Sequence, residues 1–170
     1  VAVWAEGFEE AVARHLRELQ GLAGRIGLRA EILRDDSHEL LWDQVRDFAA
    51  NGDNVLYRIT VPPACVTEVA AKIEHWSASE RSVRFIAHAG SGVVWVSLDA
   101  DPSAAAWFPR LTALAQQRRG HVVMAAAPTE LKQGVDVWGP SPPSLAIMRE
   151  IKQQFDPQGI LSPGRFIARL

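Results

Sequence analysis

Between Val55 and Val61 apolar and polar side chains alternate so that Val55, Tyr57, Ile59 and Val61 share one face of an extended chain. Leu56, Arg58 and Thr60 fall on the other. Pro62-Pro63 ends this strand and can open a helix with Val66, Val69, Ile73 and Trp76 turned inward. Val83, Phe85 and Ala87 then predict a second strand, whose opposite face carries Arg84, Ile86 and His88. Gly90-Ser91 suits a tight II′ turn into a third strand, Val93-Val94-Trp95-Val96. Asp101 as N-cap with Pro102 behind it predicts a helix carrying Trp107, Leu111 and Leu114 as far as Gly120, and His121 to Ala127 is the next strand. The order is βαββαβ, the split-βαβ arrangement of ferredoxin-like folds.

The flanks are less regular. Val1 to Ala5 reads as a strand, Phe8, Val12, Leu16, Leu19 and Leu22 as a helix stopping near Gly24, and Leu28 to Arg34 as a half-buried strand. Asp36, with Glu39 three residues on, caps a helix with Leu41, Val45 and Phe48 that ends near Asn51-Gly52. This predicts an additional, partial βαβα unit, although no sequence repeat marks a duplication. Ser141-Pro142 opens a last helix bearing Leu145, Met148, Ile151 and Phe155. The expected fold class is α+β, an antiparallel sheet with helices on one face, in a single domain over residues 1–170.

Composition narrows the function classes. A net charge of −2 over 170 residues argues against a nucleic-acid footprint. No apolar run reaches the roughly 18 residues of a membrane span. The single cysteine, Cys65, excludes an internal disulfide framework and reads as a small packing residue. The opening strand is already under way at Val1 without an initiator Met, so the chain is expected to be part of a longer protein.

Candidate chemistry is sparse. Arg58, Arg84 and His88 lie on strands expected to be neighbours, on the face away from the helices, beside Thr60. Guanidinium forks there match a carboxylate. The same residues suit a solvated sheet face, or one packed against another domain. His15, His38, His75 and His121 have no metal-ligand spacing, and no metal site or catalytic residue is assigned. Trp4, Trp76 and Trp107 fall on apolar stripes and are expected in the core, whereas Trp138, in a loop, is the one expected to meet another domain or a partner.

The tail, Phe155-Asp156-Pro157-Gln158-Gly159-Ile160-Leu161-Ser162-Pro163-Gly164-Arg165, carries two spaced turns. Asp156 precedes a proline, which ends the helix; Pro163 and Gly164 suit the central positions of a type II turn that aims Arg165. Such a tail can simply pin a terminus back onto its own domain. It also resembles the Phe-Asp-Pro-x-Gly-Ile-Leu-Asn-Pro-Gly-Arg/Lys ending of FAD-linked oxidases of the vanillyl-alcohol-oxidase type, with Ser162 in place of Asn. His88-Ala89-Gly90-Ser91-Gly92-Val93-Val94-Trp95 is similar to the His-x-Gly-Asp-Gly-Asn-x-His motif of catalytic members, but only His88, Gly90 and Gly92 match. Trp95 replaces the second histidine, so within the family the resemblance is to a non-catalytic or altered paralogue, which the glycolate oxidase E subunit fits best.

That resemblance implies a C-terminal cap domain whose N-terminal FAD-binding domain lies upstream. The whole protein would bind FAD and serve in a flavin-dependent oxidation of a 2-hydroxy acid such as glycolate. This chain alone would hold no cofactor and catalyse nothing. By that resemblance Ser162, Gly164 and Arg165 would stand nearest the flavin, while the sheet-face residues Arg58, Arg84 and His88 are the expected substrate-binding residues. The implied partners are a catalytic flavoprotein subunit and an iron–sulfur subunit, in a cytoplasmic complex peripherally associated with a membrane. The alternative is a ferredoxin-like module that binds a small anion and has no enzymatic activity.

Overall fold

The structure, a computed structural model, describes residues 1–50, 54–78 and 82–170. It contains two compact units, Val1–Arg46 and Asp47–Leu170. In the first, helix α1 spans Glu9–Arg25 and helix α2 spans Asp35–Arg46. Gly24 remains inside α1, and the helix stops at Gly27 instead, whose φ of 73° provides the left-handed position after the last turn. The Leu28 N–H reaches back to the Ala23 carbonyl at 2.9 Å, closing the helix end. Helix α2 starts one residue before the expected cap, with Asp35 and Asp36 in its first turn, where negative charge meets the exposed N–H groups.

The strands expected at Val1–Ala5 and Leu28–Arg34 do not form, so the partial βαβα unit is present only as its two helices. Alternation makes a segment fit for a sheet, but a strand exists only when another edge takes up its N–H and C=O groups. Neither helix of this unit has a fully buried residue. Trp4, expected in the core, is 52% exposed and lies against His38 and Trp42 of α2, with ring centroids 5.0 and 5.1 Å away. The predicted end of α2 at Asn51-Gly52 lies outside the described residues; α2 itself stops at Arg46, and a 3₁₀ turn covers Asp47–Ala49.

Asp47–Leu170 holds the expected βαββαβ order. Strand β1 spans Asn54–Thr60, helix α3 Val66–Ser77, β2 Arg84–His88, β3 Val93–Asp99, helix α4 Trp107–Gln116 and β4 His121–Ala126. The strands form one sheet, ordered β2-β3-β1-β4, with every neighbouring pair antiparallel. This is the ferredoxin-like arrangement, with β1 central. Val55, Tyr57 and Ile59 of β1, Val94 and Val96 of β3, and Val122 and Met124 of β4 face the helices and are buried. Val69 and Ile73 from α3, with Trp107 and Leu111 from α4, close over them. Each large side chain so buried contributes about 1.5–3 kcal/mol relative to exposure. Cys65 is half-buried against this core, a packing position.

One polar group enters the core with its partner. The Tyr57 hydroxyl donates to the Ala104 carbonyl at 2.9 Å, and burial pushes its pKa up to about 12. Ala104 belongs to a 3₁₀ turn, Pro102–Ala106, which separates the Asp101 cap from α4. Asp101 still caps, its carboxylate accepting from the Ser103 N–H at 2.6 Å.

The β2–β3 connection differs from the expected II′ turn. Four residues, Ala89 to Gly92, join the strands, and the His88 carbonyl accepts from the N–H groups of Ser91 and Gly92 at 3.2 and 3.1 Å. The positive φ is at Gly92 (72°), not Gly90. A Cβ on Gly92 would sit 2.1 Å from the Val61 carbonyl oxygen, because the hairpin leans on the end of β1. Gly92→Ala is therefore expected to cost about 2 kcal/mol or more, whereas Gly90→Ala, which meets open space, should stay within about 0.5 kcal/mol of the parent in urea unfolding.

Candidate functional site

The tail is shaped by one carboxylate. Helix α6 spans Leu145–Phe155, starting three residues after Pro142, and stops at Asp156 as the following proline requires. Asp156 is buried although its neighbours Phe155, Ile160 and Leu161 are exposed. Its Oδ1 accepts from the Ile160 N–H at 2.9 Å, and its Oδ2 from the Leu161 N–H at 3.0 Å. Lys152, one helical turn earlier, donates to Oδ2 at 2.5 Å and to the Leu161 carbonyl at 2.6 Å. The Lys152 ammonium first, and then the two N–H groups, hold the Asp156 carboxyl below the usual carboxylate range.

The second turn follows directly. The Arg165 N–H donates to the Ser162 carbonyl at 3.2 Å and Gly164 has φ 72°, the positive value a type II turn needs at that place. Ser162 itself has φ 47°. Asn enters that left-handed region more readily than Ser, which gives a backbone reason for Asn in the similar endings of FAD-linked oxidases.

Two cavities flank this turn. One, of about 700 Å³, lies between α6 and the tail and is lined by Met148, Ile151, Phe155, Leu161, Ser162 and Arg165 among others. The other, of about 670 Å³, includes Gly164 and Arg165 and opens toward Trp138. Ser162, Gly164 and Arg165 are thus brought together, with Arg165 lining both cavities. Space is open where a Gly164 Cβ would stand, so its backbone can be approached closely. An apolar wall, an accessible backbone and one guanidinium are chemistry that one side of a flavin ring could meet.

Trp138 reaches the tail because its loop is held to the sheet. The Met124 N–H of β4 donates to the Val137 carbonyl at 2.8 Å, and Gly139 (φ 73°) passes close to the Val122 carbonyl. The Trp138 ring then meets Phe166 edge to face, with centroids 4.8 Å apart.

The sheet face away from α3 and α4 carries the other candidates, in three cross-strand rows. Arg84 lies level with Ser97 and Leu56; Ile86 with Trp95, Arg58 and Val123; His88 with Val93, Thr60 and His121. Arg58 and Arg84 are therefore not on neighbouring strands. β3 stands between them, they occupy different rows, and each guanidinium lies against its own ring: Arg58 over Trp95 at 6.0 Å and Arg84 over Phe48 at 5.9 Å. Their expected convergence on one carboxylate is not seen. His88 is exposed at the hairpin, and among the described residues no three His, Cys, Asp or Glu side chains gather as for a metal. Trp95, Ile86, Val93 and Val123 make this face half apolar. Ile86, between Arg84 and His88 in the strand alternation, is the sequence signal for that apolar character. Thr60 Oγ1, on the same face, is buried without a hydrogen-bond partner among the described residues.

Because the folded-state pKa of Asp156 is depressed, its contribution to stability is full above the ordinary carboxylate range near ~4 and is lost as pH falls through the folded value. Asp156→Asn is thus expected to lower the urea midpoint at pH 7 and to differ progressively less from the parent toward pH 2. Ser162→Gly should raise stability by about 0.5–1 kcal/mol in the same assay, by relieving the left-handed φ.

The comparisons point to this end of the chain. No curated protein matches it. The family model described as "FAD linked oxidases, C-terminal domain" matches residues 140–166, the stretch that holds α6, the Asp156 turn and the Ser162–Arg165 turn. Among the described residues no helix is long and apolar enough to cross a membrane. With its four-stranded antiparallel sheet and flanking helices, the match supports reading the chain as a C-terminal domain of an FAD-linked oxidase.

Proposed function

We propose that this chain is the cap domain of a flavin-dependent oxidoreductase acting on a 2-hydroxy acid, most similar to the glycolate oxidase E subunit, and that its tail completes the flavin site of a domain upstream. The observation that carries the reading is the family match over residues 140–166, on a tail whose turns are built to present Ser162, Gly164 and Arg165. The surroundings support a docking role. Ile147, Ile151, Phe155, Ile160 and Leu161 are each at least half exposed, an apolar surface of the kind that marks an interaction site.

In this reading α6 and the tail lie on the flavin domain, and Arg165 supplies positive charge beside the ring. The flavin, when bound, accepts the hydride of the substrate. The open sheet face would turn toward the substrate, with Arg58, Arg84 and His88 as separate polar contacts around the apolar Trp95 and Ile86. A catalytic flavoprotein subunit and an iron–sulfur subunit complete the proposed complex, which is cytoplasmic and peripherally associated with a membrane. With only His88, Gly90 and Gly92 of the catalytic histidine motif present, the isolated chain is assigned no turnover of its own. The fold itself accounts for one of those glycines: Gly92 is demanded by its approach to Val61.

The test is the visible spectrum of the purified full-length polypeptide, separated from its flavoprotein partner. Flavin absorbance is expected, and its absence would sink the proposal. Arg165→Ala should weaken flavin retention roughly tenfold, the size expected for losing a charge-assisted hydrogen bond. Unchanged retention would remove Arg165 from the site.

A further inference from the structure

The two edges of the sheet are treated differently. Past β4 the chain forms a short helix, α5, spanning Thr129–Lys132, and then returns to the β4 edge, where the Val137 carbonyl takes up the Met124 N–H at 2.8 Å. The pairing of β4 with β1 also carries a register shift at Leu56 and Tyr57. Covering and bulging are two ways in which a protein keeps an edge from pairing with another chain. At β2, the opposite edge, neither is present among the described residues. Arg84–His88 pairs in unbroken register with β3 alone and contains no proline. Its polar side chains, Arg84 and His88, stand at its ends and leave Phe85, Ile86 and Ala87 between them.

One hydrogen bond assigns the backbone groups along that edge. The Val61 N–H donates to the Gly92 carbonyl at 2.9 Å, so the peptide between Gly92 and Val93 points its C=O at β1. That peptide is trans and points its N–H the opposite way, so Val93 bonds toward β2. Alternation along β3 gives Trp95 and Ser97 the same direction. Their partners His88, Ile86 and Arg84 are thereby satisfied within the sheet. Phe85 and Ala87 turn their N–H and C=O groups outward, and among the described residues nothing takes them up.

We propose that a second copy of this chain pairs with β2, antiparallel about Ile86, and joins two four-stranded sheets edge to edge. The strand is complementary to itself in that register. Each outward N–H of Phe85 and Ala87 meets an outward C=O of the other copy. Ile86 stands opposite the partner's Ile86 on the open face, and Phe85 opposite the partner's Ala87, a large side chain against a small one. Arg84 stands opposite the partner's His88, whose neutral imidazole offers the guanidinium an acceptor. A pair centred on Phe85 would instead set Ile86 against Arg84, and one centred on Ala87 would set it against His88, so side-chain chemistry selects the register. The contact is two-fold symmetric and closes on itself. So short an edge is far smaller than an obligate interface, and reversible, micromolar association is expected.

The full-length polypeptide, purified alone, is sedimented over a concentration series reaching about 100 μM. A monomer–dimer equilibrium is expected. Ala87→Pro removes an N–H that no bond within the sheet uses, and proline is tolerated on an edge strand, so it should raise the dissociation constant at least about tenfold. His88→Lys sets a like charge opposite the partner's Arg84 and should weaken the dimer about threefold or more, whereas His88→Glu should tighten it by a similar factor. Circular dichroism confirms that each variant is folded. Monomer throughout the series, or a dimer that Ala87→Pro leaves intact, overturns the proposal. So does a dimer on which His88→Lys and His88→Glu act alike, because the register would then be wrong. Association seen only with a different subunit, and lost in Ala87→Pro, assigns the edge to that subunit and overturns pairing with a second copy. The inference uses no residue of the tail, and either monomer or dimer can retain flavin, so it fails separately from the flavin reading.

Discussion

Strand β1 is paired along both edges, with β3 on one side and β4 on the other, and the face it turns to α3 and α4 is fully buried. A period-2 pattern under those conditions tolerates one register, because a slip by one residue would bury Arg58 and expose Ile59. Much else in residues 47–170 is referred to that register. It sets Tyr57 opposite the Ala104 carbonyl, seats Gly92 against Val61, and leaves Arg58 level with Trp95. The polar groups of the outer face are therefore placed by the demands of the inner one.

The tail is organised by a different kind of force. Few of its apolar side chains are buried, so its shape comes from polar bonds that converge on Asp156. A carboxylate that accepts two backbone N–H bonds and a lysine is satisfied within the tail itself. The apolar residues around it are then free to meet something else. That division of labour, local polar bonds for shape and exposed apolar surface for docking, suits a segment whose partner is another domain.

How much of this was legible in the sequence depended on how local the cause was. Asp156-Pro157 ending a helix, the Pro163-Gly164 turn and the β1 alternation each follow from φ restriction or side-chain period within a few residues, and all are found. The helix stop at Gly27 rather than Gly24, and the four-residue hairpin loop with Gly92 as its left-handed residue, were offset, because several glycines can serve and packing chooses among them. The six-residue spacing of Asp101 and Trp107 held a cap and a helix but concealed the 3₁₀ turn between them.

By itself the sequence determined the βαββαβ order, the inward positions of β1, α3 and α4, and the tail turns that bring Ser162, Gly164 and Arg165 together. These are properties of single segments. Tertiary structure decided what depends on two segments at once. Leu28–Arg34 alternates as a strand should, yet forms none, since pairing needs a partner edge. Arg58 and Arg84 share a face but are parted by β3, because strand order is set by how crossovers pack and not by residue type. The meeting of Trp138 with Phe166 arises from a loop docked on the edge of β4, a placement that no local pattern encodes.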